Sequence, residues 1–464
     1  MNKSKKITLL FFMLFVWANG EQVSQNAQES NIFDVKSAWE KVLENNDALK
    51  AQEHNLARAQ KLALGAKLSF LPEINFKGSY LYFDEAMSHS LNASIQPSGN
   101  PMMDAYLSGI LRGVNKPITL LERDVMMGAF NIIYPLYTGG ARVRGIKIAE
   151  IAKKDAAEAM RLKKLATFEE FVTIYYGSVL AKDLQEVCEE NFEASMLHYN
   201  NALDLEKSGQ IAHLEVLASQ VASDKSKNTL RSAQNARLSA DLALNSALST
   251  QDSVPSSKIE VSSKPLYDEN YYVQKALQSY PALRSLDLKI ESANEATSLA
   301  RASFLPQVVG MGSYIFTDKQ DSLLVRSIPA WYVGVGVNIP IISPTARLQR
   351  YQASKITTLE LESLKAQAIK DITLLVRRTY KEALFAKEEY ESLNSSVVLA
   401  QENLKLQINA FKQGLATSAQ VIDAQNSLQS VLVEQKSVGF KAIVALAKLL
   451  ALSDEIETFY EYQR

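Results

Sequence analysis

The chain has 464 residues, 47% of them hydrophobic, with 50 Lys and Arg against 51 Asp and Glu and a formal net charge of −1. That balance leaves no electrostatic footprint for nucleic acid, and one cysteine, Cys188, excludes an internal disulfide framework. The 12 prolines and 18 glycines gather at a few places with long helical text between them, so an elongated molecule is expected rather than two or three globular domains.

At the N-terminus Lys3, Lys5 and Lys6 precede an apolar run from Ile7 to Ala18 and small residues at Ala18 and Gly20. This order predicts a secretory signal over residues 1–20. No later stretch approaches the ~20 apolar residues of a transmembrane helix, so any part that spans a membrane must do so as strands.

From Val35 to about Phe70 the text is rich in Ala, Leu, Lys, Glu and Gln, good helix formers, and Pro72 stops it. The period then becomes two. Ile74, Phe76, Gly78, Tyr80 and Tyr82 alternate with Asn75, Lys77, Ser79 and Leu81, which predicts a strand over about 73–84 with one apolar, aromatic-ended face. A surface loop rich in Ser, Asn and Met follows from Asp84 to about Arg123, and a return strand over about 125–136 carries Phe130, Ile132 and Tyr134. After the turn Tyr137-Thr138-Gly139-Gly140, helical text runs from Ala141 to Ser208, with Leu165, Phe168, Val172, Tyr175 and Val179 stepping by three and four as a coiled-coil seam does. At ~1.5 Å per residue that helix is about 100 Å long. Gly209 ends it at a cap position that favours glycine, and the chain returns as a helix from about His213 to Ser249.

The plan then repeats. Ser69-Phe70-Leu71-Pro72 and Gly78-Ser79-Tyr80 return, offset by 234, as Ser303-Phe304-Leu305-Pro306 and Gly312-Ser313-Tyr314. Asn131 finds an echo at Asn338, and Pro135, Arg142, Tyr175, Gly209 and Gln220 return at an offset of 205 as Pro340, Arg347, Tyr380, Gly414 and Gln425. The fall from 234 to 205 places a 29-residue insertion in the first copy between Tyr80 and Pro135, where a surface loop absorbs it at small entropic cost. A long repeat means a duplicated structural unit. The first copy is assigned to 21–250, a Ser-rich linker to 251–267, the second copy to 268–454 and a tail to 455–464. The second copy holds a helix from Tyr271 to Phe304, strands over about 307–318 and 330–341, a long helix from Thr345 to Gln413, a break at Gly414 and a return helix from Ser418 to Leu452. Each return helix is little more than half its partner's length, and the helix ahead of the first strand of each copy supplies the rest. On the strands alone a soluble hairpin stays open, but their length is close to the ~9–11 residues of a tilted membrane strand, and the export signal favours a barrel.

The ordered duplication, the two Ser-Phe-Leu-Pro strand entries, the Tyr134-to-Gly140 turn and the Gly414-to-Gln425 segment with Val421-Ile422-Asp423-Ala424-Gln425 resemble the TolC-type outer-membrane efflux proteins over essentially the whole mature chain. The resemblance implies a mixed α and β membrane protein in which each copy gives two transmembrane strands and a long coiled-coil hairpin, three protomers closing a twelve-stranded β-barrel and a helical periplasmic barrel. It implies an outer-membrane exit duct of a tripartite efflux pump or type I secretion system, coupled to an inner-membrane transporter through a periplasmic adaptor. Residues implied for adaptor docking are Gly209, Gln210 and Ile211 at one tip and Gly414, Leu415 and Ala416 at the other; both glycines are also ordinary helix caps. A periplasmic entrance ring maps onto Asp423 and Gln420, with Glu215 the acidic position of the first copy. The Arg and Tyr that latch related closed channels are replaced by Ala416 and Phe411, so that latch cannot form, and Lys412 with Glu215 is an alternative closing pair.

Nothing points to chemistry. His54, His89, His198 and His213 lack a second His or Cys at metal-ligand spacing, Gly139-Gly140 lacks the rest of a phosphate loop, and Cys188 has no paired base. No enzyme, metal or cofactor is expected. The competing readings are a periplasmic adaptor, which also carries helical hairpins, and a structural coiled-coil envelope protein without channel activity.

Overall fold

The computed structural model describes residues 32–318, 322–342 and 344–463; the signal segment expected over 1–20 lies outside them. In chain order the elements are β1 (Ile32–Phe33), α1 (Val35–Asn45), α2 (Asp47–Leu68), β2 (Glu73–Tyr82), β3 (Met87–His89), α3 (Pro101–Val114), β4 (Ile118–Leu121), β5 (Asp124–Tyr137), α4 (Ala141–Lys207) and α5 (His213–Leu248). They continue with β6 (Val254–Pro255), α6 (Glu269–Ser279), α7 (Pro281–Ala302), β7 (Gln307–Thr317), α8 (Leu323–Arg326), β8 (Trp331–Asn338), α9 (Arg347–Lys412), α10 (Ser418–Leu452) and a 3₁₀ helix, Ile456–Tyr462.

The strand pairs of the two copies join into one antiparallel sheet of order β2-β5-β7-β8. Ile74, Phe76, Tyr80, Phe130, Tyr314, Trp331, Val333, Val335 and Val337 fall on one face by register and are exposed. Both outer strands, β2 and β8, keep an unpaired edge. Bare edges are not a stable end state in lipid, where every backbone group needs a partner, and a bare apolar face is not one in water.

Each copy's long helix packs along two shorter ones: α4 lies against α5 and α2, and α9 against α10 and α7. The copies are joined side by side by α4, which packs on both α7 and α10, so α2 and α5 lie on one flank of the protomer and α9 on the other. The seam residues Leu165, Phe168, Val172, Tyr175 and Val179 are all buried in the main core, where Trp39 meets Phe168 edge-on at 5.2 Å and Phe168 meets Phe459 at 5.4 Å. Burying side chains of this size stabilises by roughly 1.5–3 kcal/mol each.

Four features add to or depart from the sequence reading. The helix expected from Val35 to Phe70 is two helices, because Asn46 is extended and its side chain accepts from Leu49 N to cap α2. Its counterpart breaks at Tyr280, which is extended ahead of Pro281 at the first position of α7, as the residue before a proline tends to be. The loop from Asp84 to Arg123 contains α3 and the β3–β4 hairpin, and the C-terminal tail is a 3₁₀ helix that buries Phe459 and Tyr462.

Candidate functional site

Two regions carry the chain's unusual chemistry: the helix tips and the sheet. Both tips use one device. Gly209 and Gly414 each have φ of 70°, in the left-handed region. Around them Gly209 N donates to Glu206 O at 2.8 Å and Gln210 N to Leu205 O at 2.9 Å, while Gly414 N donates to Phe411 O at 2.9 Å and Leu415 N to Ala410 O at 2.9 Å. These bonds satisfy carbonyls that the helix ends leave free, and any residue with a Cβ would be strained there. Beyond the glycines Gln210 is exposed and Ile211 half-buried, and Leu415 is 77% exposed beside half-buried Ala416.

The return helices start differently. α10 has a full capping box, with Thr417 Oγ1 accepting from Gln420 N and Gln420 Oε1 accepting from Thr417 N at 2.8 Å. α5, whose N-cap is Ala212, has no side-chain cap. Glu215 crosses from the first hairpin to the second: its Oε2 accepts from Ser418 N at 2.7 Å. Glu215 thus meets the first residue of α10, whose capping box holds Gln420, with Asp423 exposed one turn further on. Among the described residues of the protomer no ion pair joins Lys412 to Glu215, whose carboxylate is turned to the α10 N-terminus.

Behind the tips, Ala202, Val216, Phe411 and Val421 form a small buried core contributed by α4, α5, α9 and α10. Phe411 stacks edge-on against His198 at 4.6 Å. His198 is buried, its Nε2 has no hydrogen-bond partner among the described residues, and burial pushes its pKa below 6.5 against the opposing pull of Glu215. Sequence reasoning weighed His198 only as a metal ligand; its pairing with Phe411 joins different hairpins, and no spacing signal announces it. His213 is exposed, with Nδ1 2.7 Å from Glu206 Oε1 across the first tip. Cys188 is buried, accepts a hydrogen bond from Gln429 Nε2 at 3.7 Å and has its thiol pushed up by burial.

At the other end, the face of the sheet opposite the aromatic one carries a polar row that register fixes across all four strands: Asn75, Asn131, Ser313 and Tyr332. Asn131 Nδ2 donates to Asn75 Oδ1 at 3.3 Å, and Ser313 Oγ donates to Asn131 Oδ1 at 3.0 Å. Where the sheet passes into the helices, one arginine per copy holds the junction. Arg142 donates to Pro135 O at 2.6 Å and to Ser69 O, over the Phe70 ring; Arg347 donates to Ser303 O at 3.1 Å and Ile341 O at 3.2 Å, over Phe304.

Among the described residues no group of three or more His, Cys, Asp or Glu is placed to hold a metal ion, and no helix is long and apolar enough to cross a membrane. The sequence matches the family described as Outer membrane efflux protein over residues 38–250 and 272–452. Comparison with curated proteins gives no match. Among solved structures, the chain is similar to CusC at 16% identity and a TM-score of 0.74, covering 90% of this chain and 92% of that one. It is similar to the CmeC outer membrane channel of Campylobacter jejuni at 14% identity and a TM-score of 0.70, covering 92% and 86%. The open state of the Neisseria gonorrhoeae MtrE outer membrane channel matches at 15% identity and a TM-score of 0.70, covering 91% and 89%.

Proposed function

Because the chain belongs to the outer membrane efflux protein family, we propose that it is the exit duct of a tripartite pump or type I secretion system whose hairpin tips dock a periplasmic adaptor. Membership makes it a non-enzymatic outer membrane channel that extends into the periplasm, sets aside the adaptor and coiled-coil envelope readings, and implies trimeric assembly. The observation that carries the rest is the polarity of the protomer: a sheet with two unpaired edges at one end and two glycine tips at the other.

In this reading β2 of one protomer pairs with β8 of the next until twelve strands close. The flanking helices meet in the same way, which accounts for the exposed Leu214, Leu217, Val221, Leu238 and Leu242 on α5 and Leu359, Leu374, Phe385, Leu399 and Leu406 on α9. The bare sheet face meets lipid, and the Asn75-Asn131-Ser313-Tyr332 row lines water. Gly209, Gln210 and Ile211, with Gly414, Leu415 and Ala416, form the adaptor surface, where glycine permits close backbone approach and the exposed apolar side chains fill helix grooves. Asp423, with Gln420 and Glu215 behind it, rings the entrance and biases it toward cations. An inner-membrane transporter reached through the adaptor supplies the energy. The test places a photo-crosslinking residue at Leu415 in cells and identifies the captured protein by mass spectrometry. A periplasmic adaptor is the expected product, and capture of other copies of the chain alone overturns the docking assignment.

A further inference from the structure

We propose that α3, in the connection between β2 and β5, is a clasp between protomers: its bare face packs on the α8-to-β8 segment of the neighbouring copy and braces the outer mouth of the barrel. This rests on the barrel reading above.

The helix is deliberately built. Asn100 Oδ1 accepts from Met102 N at 3.1 Å, Pro101 stands at the first helical position, Ser98 N donates to Asp104 Oδ1 at 2.8 Å, and Asn115 holds the far end through bonds to Ala93 N and O at 2.9 Å. Yet none of its 14 residues is buried, and an isolated helix of this length is marginal in water. Met102 at 86% exposure, Tyr106 at 69%, Ile110 and Val114 follow one another four residues apart along one side. Gly109 and Gly113 lie within that same face, with open space where a Cβ would stand. Glycine is a poor helix former, and two of them on an apolar face suit a neighbouring segment that comes close.

The charge pattern selects the kind of neighbour. A helix that lies on an anionic membrane surface carries a strongly basic polar face. α3 has one Arg, Arg112, offset by Asp104, so a protein surface fits better than lipid.

Continuity with the seam selects the protein. β2 ends at Tyr82 and leads into this connection, and β8 begins at Trp331. When β2 pairs with the next copy's β8, the connection that holds α3 rises beside the segment that precedes that β8. This segment offers a matching apolar surface: Leu323, Leu324 and Ile328 are exposed. The opposite side of α8 is already covered within its own chain, where Val325 is buried and Ser322 Oγ donates to Leu120 O of β4 at 2.6 Å. Each α8 would therefore be held between its own β4 and the next protomer's α3.

The test uses the full chain in isolated outer membranes, with a photo-crosslinking residue at Ile110 and, in a separate variant, at Ser79 on β2. Denaturing gels separate adducts within one chain from adducts between copies, and peptide mapping locates them. The expected product from Ile110 is a dimer-mass adduct within residues 323–331. An adduct within one chain, an adduct to lipid or to another protein, or no adduct, while Ser79 still gives a dimer mapped to β8, overturns the clasp and leaves the barrel intact. If Ser79 also yields no dimer, the barrel reading fails and the clasp falls with it.

Discussion

Glu215 and Ser418 lie on different hairpins and are joined directly, the carboxylate of one accepting from the backbone N–H of the other at 2.7 Å. Ser418 is the first residue of α10, so this N–H has no partner inside its helix, and the carboxylate also meets the positive end of the helix dipole.

Removing that link should loosen the tips. Glu215→Ala is expected to cost on the order of 1 kcal/mol and to raise the resting conductance of the trimer in planar bilayers, with Glu215→Gln intermediate. Equal resting conductance in all three proteins would show that the contact plays no part in closing the entrance.

His198 makes the same region sensitive to acid. Its pKa is held below 6.5 in the folded chain by burial, so between that lowered value and 6.5 the unfolded chain binds the proton and the folded chain does not. Stability from this group is therefore full above pH 6.5 and is lost as pH falls toward the lowered value. Glu215 partly offsets the buried charge. The melting temperature of the detergent-solubilised trimer should fall between pH 7 and pH 5, and His198→Phe should flatten that fall. A variant with the wild-type pH profile would assign the acid response elsewhere.

Gly209 and Gly414 hold φ of 70° with open space around them, so Gly→Ala meets no clash and isolates the backbone cost, roughly 1–2 kcal/mol at each tip. Hydrogen exchange should quicken over residues 205–215 and 410–420 in the double variant, with the strands unaffected. Unchanged protection at the tips would mean that neighbouring contacts absorb the strain.

Asp423 is exposed beyond the capped start of α10. If three copies ring the entrance, Asp423→Ala should weaken block by divalent cations in planar bilayers, because a cation in a narrow ring is drawn by all three carboxylates. Block at the wild-type concentration would remove Asp423 from the entrance.

The fold class was legible because both of its periods are carried by large side chains, alternating through Phe76, Phe130, Tyr314 and Trp331 and stepping by three and four through Phe168 and Tyr175. The helix breaks were harder. Pro281 was a readable signal that the helical composition around it outweighed, whereas Asn46 breaks its helix through a side-chain cap that composition does not show. Asn100-Pro101 ahead of an apolar ridge is a helix start that a Ser- and Asn-rich context hid. At the tips, the resemblance supplied Glu215, Gln420 and Asp423, but the bond from Glu215 to Ser418 and the stacking of His198 on Phe411 each join residues about 200 positions apart, and only the side-by-side packing of α4 and α10 brings them together.

The pairing of β5 with β7, such as Met127 with Thr317, spans the first hairpin, the linker and two further helices. Local helices form far sooner than pairings of such sequence separation. The long helices and the local β7–β8 hairpin are therefore expected to form first, and the β5–β7 pairing that makes one sheet of the two copies is expected after them.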